Sequence, residues 1–346
     1  AALAALGGTP DPAEMARRAR TSIYRDGAFQ NLPQPHVDAP SVDLRSTVGE
    51  YLAGRGTRRP PAAVPLAPAL APVADGLHIT WYGHASSLVE LDGVRLLLDP
   101  VWGPRVSPVP IGPRRLHPVP HRLDKLGRLD AVVVSHDHYD HLDMPTIEWL
   151  RERTDVPFVV PLGVGAHLRR WRVPAERIFE LDWSESTEVA GVRLTATPAR
   201  HFSGRAFRRN ATLWASWVIA GPRHKVFYSG DSGYFDGYSA IGAEHGPFDA
   251  SLIQVGAYNV SWPDIHMTPE EGVRTHQDLR GGLLVPVHWG TFTLAPHPWS
   301  EPAERVVAAA REAGVGVAVP APGQRIDVAE PPAVEQWWLE LARVAR

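Results

Sequence analysis

Between Ser135 and Asp143 the chain reads Ser-His-Asp-His-Tyr-Asp-His-Leu-Asp, setting three imidazoles and several carboxylates at the end of an apolar run. Histidines so closely spaced have no role in packing, so the fold must end a buried strand here and let the rings converge. The preceding Asp130-Ala-Val-Val-Val-Ser135 is short, β-branched and uninterrupted, as a buried strand of a parallel or mixed sheet reads. His136, His138, Asp140 and His141 therefore occupy the loop leaving a strand. Neutral imidazole nitrogen and carboxylate oxygen are the usual ligands of Zn²⁺ and similar ions, with bonds of roughly 2.0 to 2.2 Å. His136 and His138 alternate, so an extended turn points both to one side, where they share one ion. Asp140 and His141 follow and serve a second. The competing readings are a polar surface loop and a single structural zinc closed by four ligands.

Three more ligand-type residues stand just beyond apolar strands. His201 follows Val192 to Arg200, Asp231 follows Lys225-Val-Phe-Tyr-Ser-Gly230, and His288 follows Leu283-Leu-Val-Pro-Val287. Open α/β sheets present their functional loops at such positions. Each residue alone also reads as a hydrogen-bonded structural group. Together with the first cluster they make seven candidate ligands, which suits two metals and leaves a single closed site with a surplus.

The remaining pattern predicts an α/β protein. From Leu77, strands at His78 to Tyr82, Ser87 to Leu91 and Val94 to Leu98 flank turn signals at Gly83 and Asp92-Gly93, giving two hairpins. Helices are expected at Pro145 to Glu152, Gly163 to Trp171, Pro269 to Leu279 and Glu301 to Ala313. Strands are expected at Phe158 to Val160, Ile178 to Leu181, Val192 to Ala196, Thr212 to Ile219, Lys225 to Tyr228, Ala250 to Val255 and Leu283 to Val287. Hairpins mixed with strand-helix alternation imply two mixed sheets sandwiched between helices. At 346 residues and 44% hydrophobic, the chain can bury one large catalytic domain. We place it at 76–346, preceded by an N-terminal extension and Pro/Ala-rich linker at 1–75, whose Pro60 to Val73 tract should be extended.

A formal charge of −3 lacks the basic excess that nucleic-acid binding requires. Zero cysteines removes disulfides, thiolate ligands and cysteine nucleophiles, and leaves the redox compartment undetermined. Ala1 to Ala5 are small and apolar, and no initiator methionine precedes them. That reads either as a chain beginning after a removed signal or anchor, or as an ordinary flexible terminus. No run of about eighteen apolar residues is present, so the sequence reads as soluble.

Taken in order, His-x-His-x-Asp-His, a lone His, Ser-Gly-Asp-Ser-Gly and His-Trp-Gly resemble the metallo-β-lactamase superfamily in the sequence of its metal ligands. Within it, the chain is similar to the N-acylphosphatidylethanolamine-hydrolysing phospholipase D group and its bacterial relatives. The similarity rests on Thr80-Trp-Tyr-Gly-His-Ala85, Leu98-Asp-Pro-Val-Trp102, Ser135 to Asp143, Leu213-Trp-Ala-Ser-Trp217, Gly256-Ala-Tyr258, His266-Met-Thr-Pro-Glu-Glu271 and His288-Trp-Gly-Thr-Phe292. Tyr24-Arg-Asp-Gly-Ala-Phe29 is similar to the leading segment of bacterial members, some of which begin with a membrane anchor. The resemblance implies an αββα sandwich and two divalent ions, Zn²⁺ first, with Mn²⁺ or Fe²⁺ as alternatives. It gives one ion to His136, His138 and His201, the other to Asp140, His141 and His288, and has Asp231 bridge them. Ions roughly 3.5 to 4 Å apart hold a hydroxide between them as the nucleophile. Asp140 and Asp231 thereby join the catalytic set.

The resemblance extends to residues around the ligands. Asp99 is similar to the family's buried carboxylate that braces the histidine loop; it also reads as a turn former before Pro100. Asp143 either orients a ligand or caps the next helix. His84 matches the family's Gly-His position near the site, against an ordinary core histidine. His266 is the third catalytic candidate, contacting phosphate or assisting the leaving group; the plainer alternative is N-capping of the following helix. Tyr258 and Ser203 are expected substrate contacts. Trp262, Phe202, Trp102 and the Pro60 to Val73 tract either form an apolar mouth for acyl chains or simply pack. The chain departs from the phospholipase pattern at Asn259-Val-Ser-Trp262 and His201-Phe-Ser-Gly-Arg205.

The resulting expectation is a dinuclear metal-dependent hydrolase, a phosphodiesterase of the phospholipase D-like branch. Its alternatives are a lactonase or amidase on the same site and a non-catalytic metal-binding scaffold. The expected partner is a small-molecule or lipid-like substrate, with peripheral membrane contact and no nucleic acid. Oligomeric state is open, a dimer included. So is the compartment: the resemblance implies a bacterial protein, cytoplasmic or membrane-associated through a preceding segment.

Overall fold

The computed structural model describes residues 2–21, 23–31, 49, 56–205 and 208–344. The chain opens with helices α1 (Ala2–Ala5) and α2 (Pro12–Arg18), then the small hairpin β1 (Tyr24–Arg25) and β2 (Ala28–Phe29). Asp11 starts α2 by accepting a hydrogen bond from Ala13 N at 2.9 Å, and Pro12 fits the first helical position. This segment is not detached. Met15, Ile23 and Phe29 are buried in the same apolar cluster as the sheets, and Arg18 pairs with Glu180 at 2.9 Å. Of the expected 1–75 extension, residues 1, 22, 32–48 and 50–55 lie outside the described residues.

The first sheet begins with β3 (Leu77–Gly83), β4 (Ser86–Leu91) and β5 (Val94–Leu98). They form an antiparallel meander. Asp92 and Gly93 both have positive φ, as a two-residue hairpin turn matching the strand twist requires. The chain then changes to crossover connections: β6 (Ala131–Val133), α3 (Met144–Arg153), β7 (Phe158–Pro161), α4 (Gly165–Arg170) and β8 (Ile178–Leu181). Strands β5 to β8 pair in parallel, and α3 and α4 pack on the outer face through Ile147, Leu150 and Leu168.

The second sheet repeats the plan. β9 (Ser186–Val189), β10 (Val192–Thr197), β13 (Ser216–Ala220) and β14 (Lys225–Tyr228) are antiparallel neighbours, with the short pair β11 (Gly204–Arg205) and β12 (Arg208–Arg209) lying between β10 and β13 in sequence. Parallel pairing follows through α5 (Gly237–His245), β15 (Phe248–Gln254), α6 (Pro269–Asp278), β16 (Gly281–Val287), α7 (Glu301–Ala313) and β17 (Gly316–Val317). β18 (Arg325–Asp327) returns to the first sheet beside β3, and α8 (Trp337–Val344) closes the chain. The sheet orders are β18-β3-β4-β5-β6-β7-β8 and β17-β16-β15-β14-β13-β10-β9. The architecture is the expected αββα sandwich of two mixed sheets flanked by helices.

The strand expected from Thr212 starts only at Ser216. Leu213 and Ala215 instead send their N–H groups across to Leu162 O at 2.8 Å and Ser135 O at 2.9 Å, tying this segment to the first sheet. α5, β9 and β18 carry no strong periodicity in sequence, while α8 is amphipathic but was not among the expected helices. α8 is held by aromatic contact, with Trp337 stacked on Trp289 at 5.5 Å.

Candidate metal centre

Every candidate ligand leaves the same rim of the sandwich. The loop after β6 carries His136, His138, Asp140 and His141; His201 follows β10, Asp231 follows β14, and His288 follows β16. The donor atoms fall into overlapping groups, each within 4.8 Å: His136 with His138 and His201, and Asp140 with His141, His288 and His84. Within the first, His136 Nε2 lies 2.8 Å from His138 Nδ1, and His201 Nε2 lies 3.3 Å from that same atom. Asp231 Oδ2 stands between the groups. It is 3.1 Å from His141 Nε2, 3.0 Å from His288 Nε2, 3.8 Å from His201 Nε2 and 4.0 Å from His136 Nε2.

Burial and charge make this arrangement demand positive charge. Burial raises the cost of ionising Asp140 and Asp231, yet the surrounding imidazoles hold both well below the usual carboxylate range. Against the cost of burial, Asp231 and Asp140 lift His288 up to about 9 and drive His141 well above its ordinary value. Burial and neighbouring imidazoles push His136 well below its ordinary value; burial likewise outweighs the Asp231 charge at His201. Those two rings stay neutral, the form that binds metal. Asp231 Oδ1 is buried without a hydrogen-bond partner, a costly state for a carboxylate oxygen. Cations among these donors would satisfy each of these demands, so the residues fit divalent metal ions.

Asp99 is the brace. Its Oδ1 accepts from Ser135 N at 2.7 Å, and its Oδ2 accepts from Ser135 Oγ at 2.6 Å, from His141 Nδ1 at 2.6 Å and from the Tyr228 hydroxyl. Ser135 Oγ in turn accepts from His136 Nδ1 at 2.9 Å. One carboxylate thus takes up the Nδ1–H of a ring in each group, directly at His141 and through Ser135 Oγ at His136, and turns Nε2 toward the centre. His84, Asp99 and His288 take φ of +53°, +38° and +68°. Left-handed backbone costs a non-glycine residue about 1–2 kcal/mol, and such strain gathers at functional sites.

The structure distributes the other expected residues unevenly. His84 joins the centre, its Nε2 2.8 Å from Asp140 Oδ2. His266 joins it too: Nδ1 donates to Ala257 O at 2.7 Å and Nε2 lies 3.2 Å from Asp231 Oδ2. It does not cap α6, because Thr268 does so with Glu271 in a capping box. Tyr258 lines a cavity of about 540 Å³ that His266 also borders, while its hydroxyl donates to Glu301. Phe202 packs edge-on to His138 at 4.5 Å. Of the remaining two, Asp143 takes its capping alternative and Ser203 fails as a substrate contact. Asp143 caps α3, accepting from Thr146 N at 3.3 Å and from Gly103 N at 3.1 Å, because its helix begins one residue on. Ser203 is fully buried and donates to Thr212 O at 2.6 Å, which spends its hydroxyl on the fold.

The expected apolar mouth is also dispersed. Trp102 packs against Tyr82 and donates to His121 O at 2.7 Å. The Pro60 to Val73 tract is strapped to the far chain through Ala67 N to Pro322 O at 3.0 Å and Val73 N to Glu90 at 3.1 Å. Conversely, sequence reasoning missed Ser135, Tyr228 and Asn31. Thr291, which accepts from His84 N at 2.7 Å, was also missed, as was Arg205, which donates to Asp137 O and Leu142 O at 2.8 and 2.7 Å. Ser135 and Thr291 stood inside segments that carry the resemblance, and Arg205 inside one that departs from it.

The profile of the beta-lactamase superfamily domain matches residues 94–289, more than half of the chain. The chain belongs to the beta-lactamase superfamily. This superfamily member is 51% identical over 349 residues to an uncharacterized protein of Mycobacterium tuberculosis, covering 97% of this chain and 94% of the relative. It is 37% identical over 232 residues to the N-acyl-phosphatidylethanolamine-hydrolyzing phospholipase D 1 of Caenorhabditis elegans, covering 63% of this chain and 65% of the relative. Igni18, a metallo hydrolase of the archaeon Ignicoccus hospitalis, has the same fold, with a TM-score of 0.56 at 23% identity over 72% of this chain and 97% of its own. With the His and Asp cluster assembled, this beta-lactamase superfamily member is a metal-dependent hydrolase. Among the described residues, no helix is long and apolar enough to cross a membrane.

Proposed function

We propose that the protein is a binuclear phosphodiesterase with phospholipase D-like chemistry. The observation carrying this reading is the position of Asp231 Oδ2, within 4.0 Å of imidazole nitrogens from both ligand groups. One ion would be held by His136, His138 and His201, the other by Asp140, His141 and His288, with Asp231 shared. Two divalent ions in these positions, Zn²⁺ among those such donors suit, would supply an activated water and neutralise charge on the phosphoryl oxygens. The phosphodiester preference is supported by the similarity to a phospholipase D over 232 residues.

The chain's own residues supply the rest. Asp140 is held by His84 Nε2, and Asp99 keeps His141 and His136 in the ligating tautomer. Because His266 Nδ1 donates to Ala257 O, its Nε2 is the atom that exchanges a proton at the centre. Protonated there, it can pass that proton to the departing alkoxide oxygen. The cavity bordered by His266 and Tyr258 takes the leaving group. Its Arg305 is already paired with Glu270 at 2.5 Å and Glu301 at 3.3 Å, so the wall offers an uncharged moiety packing surface without a free cation.

The test is turnover by metal-loaded protein on N-acylphosphatidylethanolamine, bis(p-nitrophenyl) phosphate, a homoserine lactone and a β-lactam. Phosphodiester turnover should dominate. Lactone turnover far above it would replace this reading with a lactonase.

A further inference from the structure

Two polar groups of the N-terminal segment reach the shell of the metal centre from opposite ends. At one end, Ala5 O accepts from Arg205 Nη2 at 2.7 Å, and the same guanidinium holds the carbonyls of Asp137 and Leu142 in the histidine loop. At the other, the Asn31 carboxamide closes a two-point clamp on His201. Its Nδ2 donates to His201 O at 2.8 Å, and its Oδ1 accepts from His201 N at 3.1 Å. Among the described residues, no other hydrogen bond reaches either of these backbone atoms.

The clamp is itself anchored. Phe29, two residues earlier, is fully buried in the main core, and its N–H donates to Asn210 O at 2.8 Å. Asn210 holds the loop after His201 through Ser203 N at 3.2 Å. On the ring side, His201 Nδ1 donates to Ile265 O at 2.9 Å. Ile265 therefore sets the rotation of the ring while Asn31 sets the backbone from which it projects. With both fixed, Nε2 faces His138 Nδ1 and Asp231.

We propose that Asn31 is a positioning residue of the metal centre: its carboxamide fixes the His201 backbone and thereby the aim of His201 Nε2. This rests on the reading of His201 as a ligand. A loop residue beyond a strand end has no ladder to hold it, and His201 is buried, so losing Asn31 leaves its N–H and C=O unpaired. Outer partners of metal ligands typically contribute about 10- to 100-fold in affinity; one acting through the backbone falls at the lower end, about tenfold.

The experiment compares wild type, Asn31→Ala, Arg18→Ala and His201→Ala after chelator stripping. Zn²⁺ is titrated against a chromophoric chelator, and Co²⁺ replaces it for visible absorption. Asn31→Ala should bind one of two ions about tenfold more weakly and alter the Co²⁺ spectrum of that ion alone. Arg18→Ala, which loosens α2 without touching His201, should leave both affinities unchanged. Affinities within twofold of wild type in folded Asn31→Ala overturn the proposal, and so does an equal loss in Arg18→Ala. If Asn31→Ala fails to fold, Asn31→Asp keeps the shape and the acceptor while losing the donor. It should weaken the same ion, and wild-type binding there overturns the proposal. His201→Ala separates the two readings: full binding of both ions removes His201 as a ligand whatever Asn31 does.

Discussion

Asp99→Asn removes a charge at nearly constant volume, and its cost follows from counting donors. The carboxylate accepts from Ser135 N, Ser135 Oγ, His141 Nδ1 and the Tyr228 hydroxyl. Hydroxyls can rotate to accept instead. The two N–H groups cannot. If the new amide oxygen faces His141, its NH₂ opposes the Ser135 N–H; if it faces Ser135, the NH₂ opposes His141 Nδ1. Either arrangement leaves one fully buried N–H without an acceptor, costing about 1–3 kcal/mol. In the second, His141 relieves the clash by moving its proton to Nε2, the atom 3.1 Å from Asp231, and loses the lone pair that ligation requires. At about 1.4 kcal/mol per decade, metal affinity should fall roughly 10- to 100-fold. Chelator competition reads the affinity, and urea unfolding of the stripped protein reads the stability cost alone. A folded Asp99→Asn variant that binds metal within twofold of wild type would refute the reasoning.

Four other outcomes follow from the same geometry. Asp143→Ala should lower stability by about 1–2 kcal/mol through loss of the α3 cap while leaving metal affinity unchanged in chelator competition, as befits a residue outside the centre. His266→Gln should slow alkyl phosphodiester hydrolysis by about 10²- to 10⁴-fold, yet scarcely affect p-nitrophenyl esters, whose leaving group needs no proton; equal loss on both sets would reject the leaving-group role. Burial lowers His276 to about 4, so between pH 6.5 and 4 the unfolded chain binds the proton that the folded chain refuses. Stability from this group is present above 6.5 and is lost as pH falls toward 4, by about 3 kcal/mol; urea melts across this range should show a correspondingly smaller loss in His276→Gln. Gly230→Ala should destabilise the protein markedly in thermal melts, since φ is +55° and an added Cβ would lie 2.6 Å from Ser135 Cβ.

The alternation of β-branched strands with turn signals made the meander β3 to β5 and the parallel strands legible, α6 and α7 were legible because each buries one stripe and repeats with its period, and α3 was legible from the turn residues before it. β9 alternates exposed and half-buried residues at a sheet edge, and α5 has little amphipathic contrast, so neither stands out. The seven candidate ligands were legible for a related reason: each is a donor placed directly after an apolar strand, and strand ends are where a sheet must release the chain.

His266 shows where such reading stops. Its sequence position before Thr268 and Pro269 is as suitable for capping as for the centre, and only the capping box of Thr268 with Glu271 decides the matter. Asp143 shows the reverse, a carboxylate near the ligands that the start of α3 claims. Local chemistry therefore determined which side chains can bind metal and which strands carry them. Tertiary structure alone decided which are held in place, because the braces come from far along the chain: Asn31 meets His201 across 170 residues and Tyr228 meets Asp99 across 129. A hydrogen bond of that span has no period in the sequence, and it exists only once two sheets have packed.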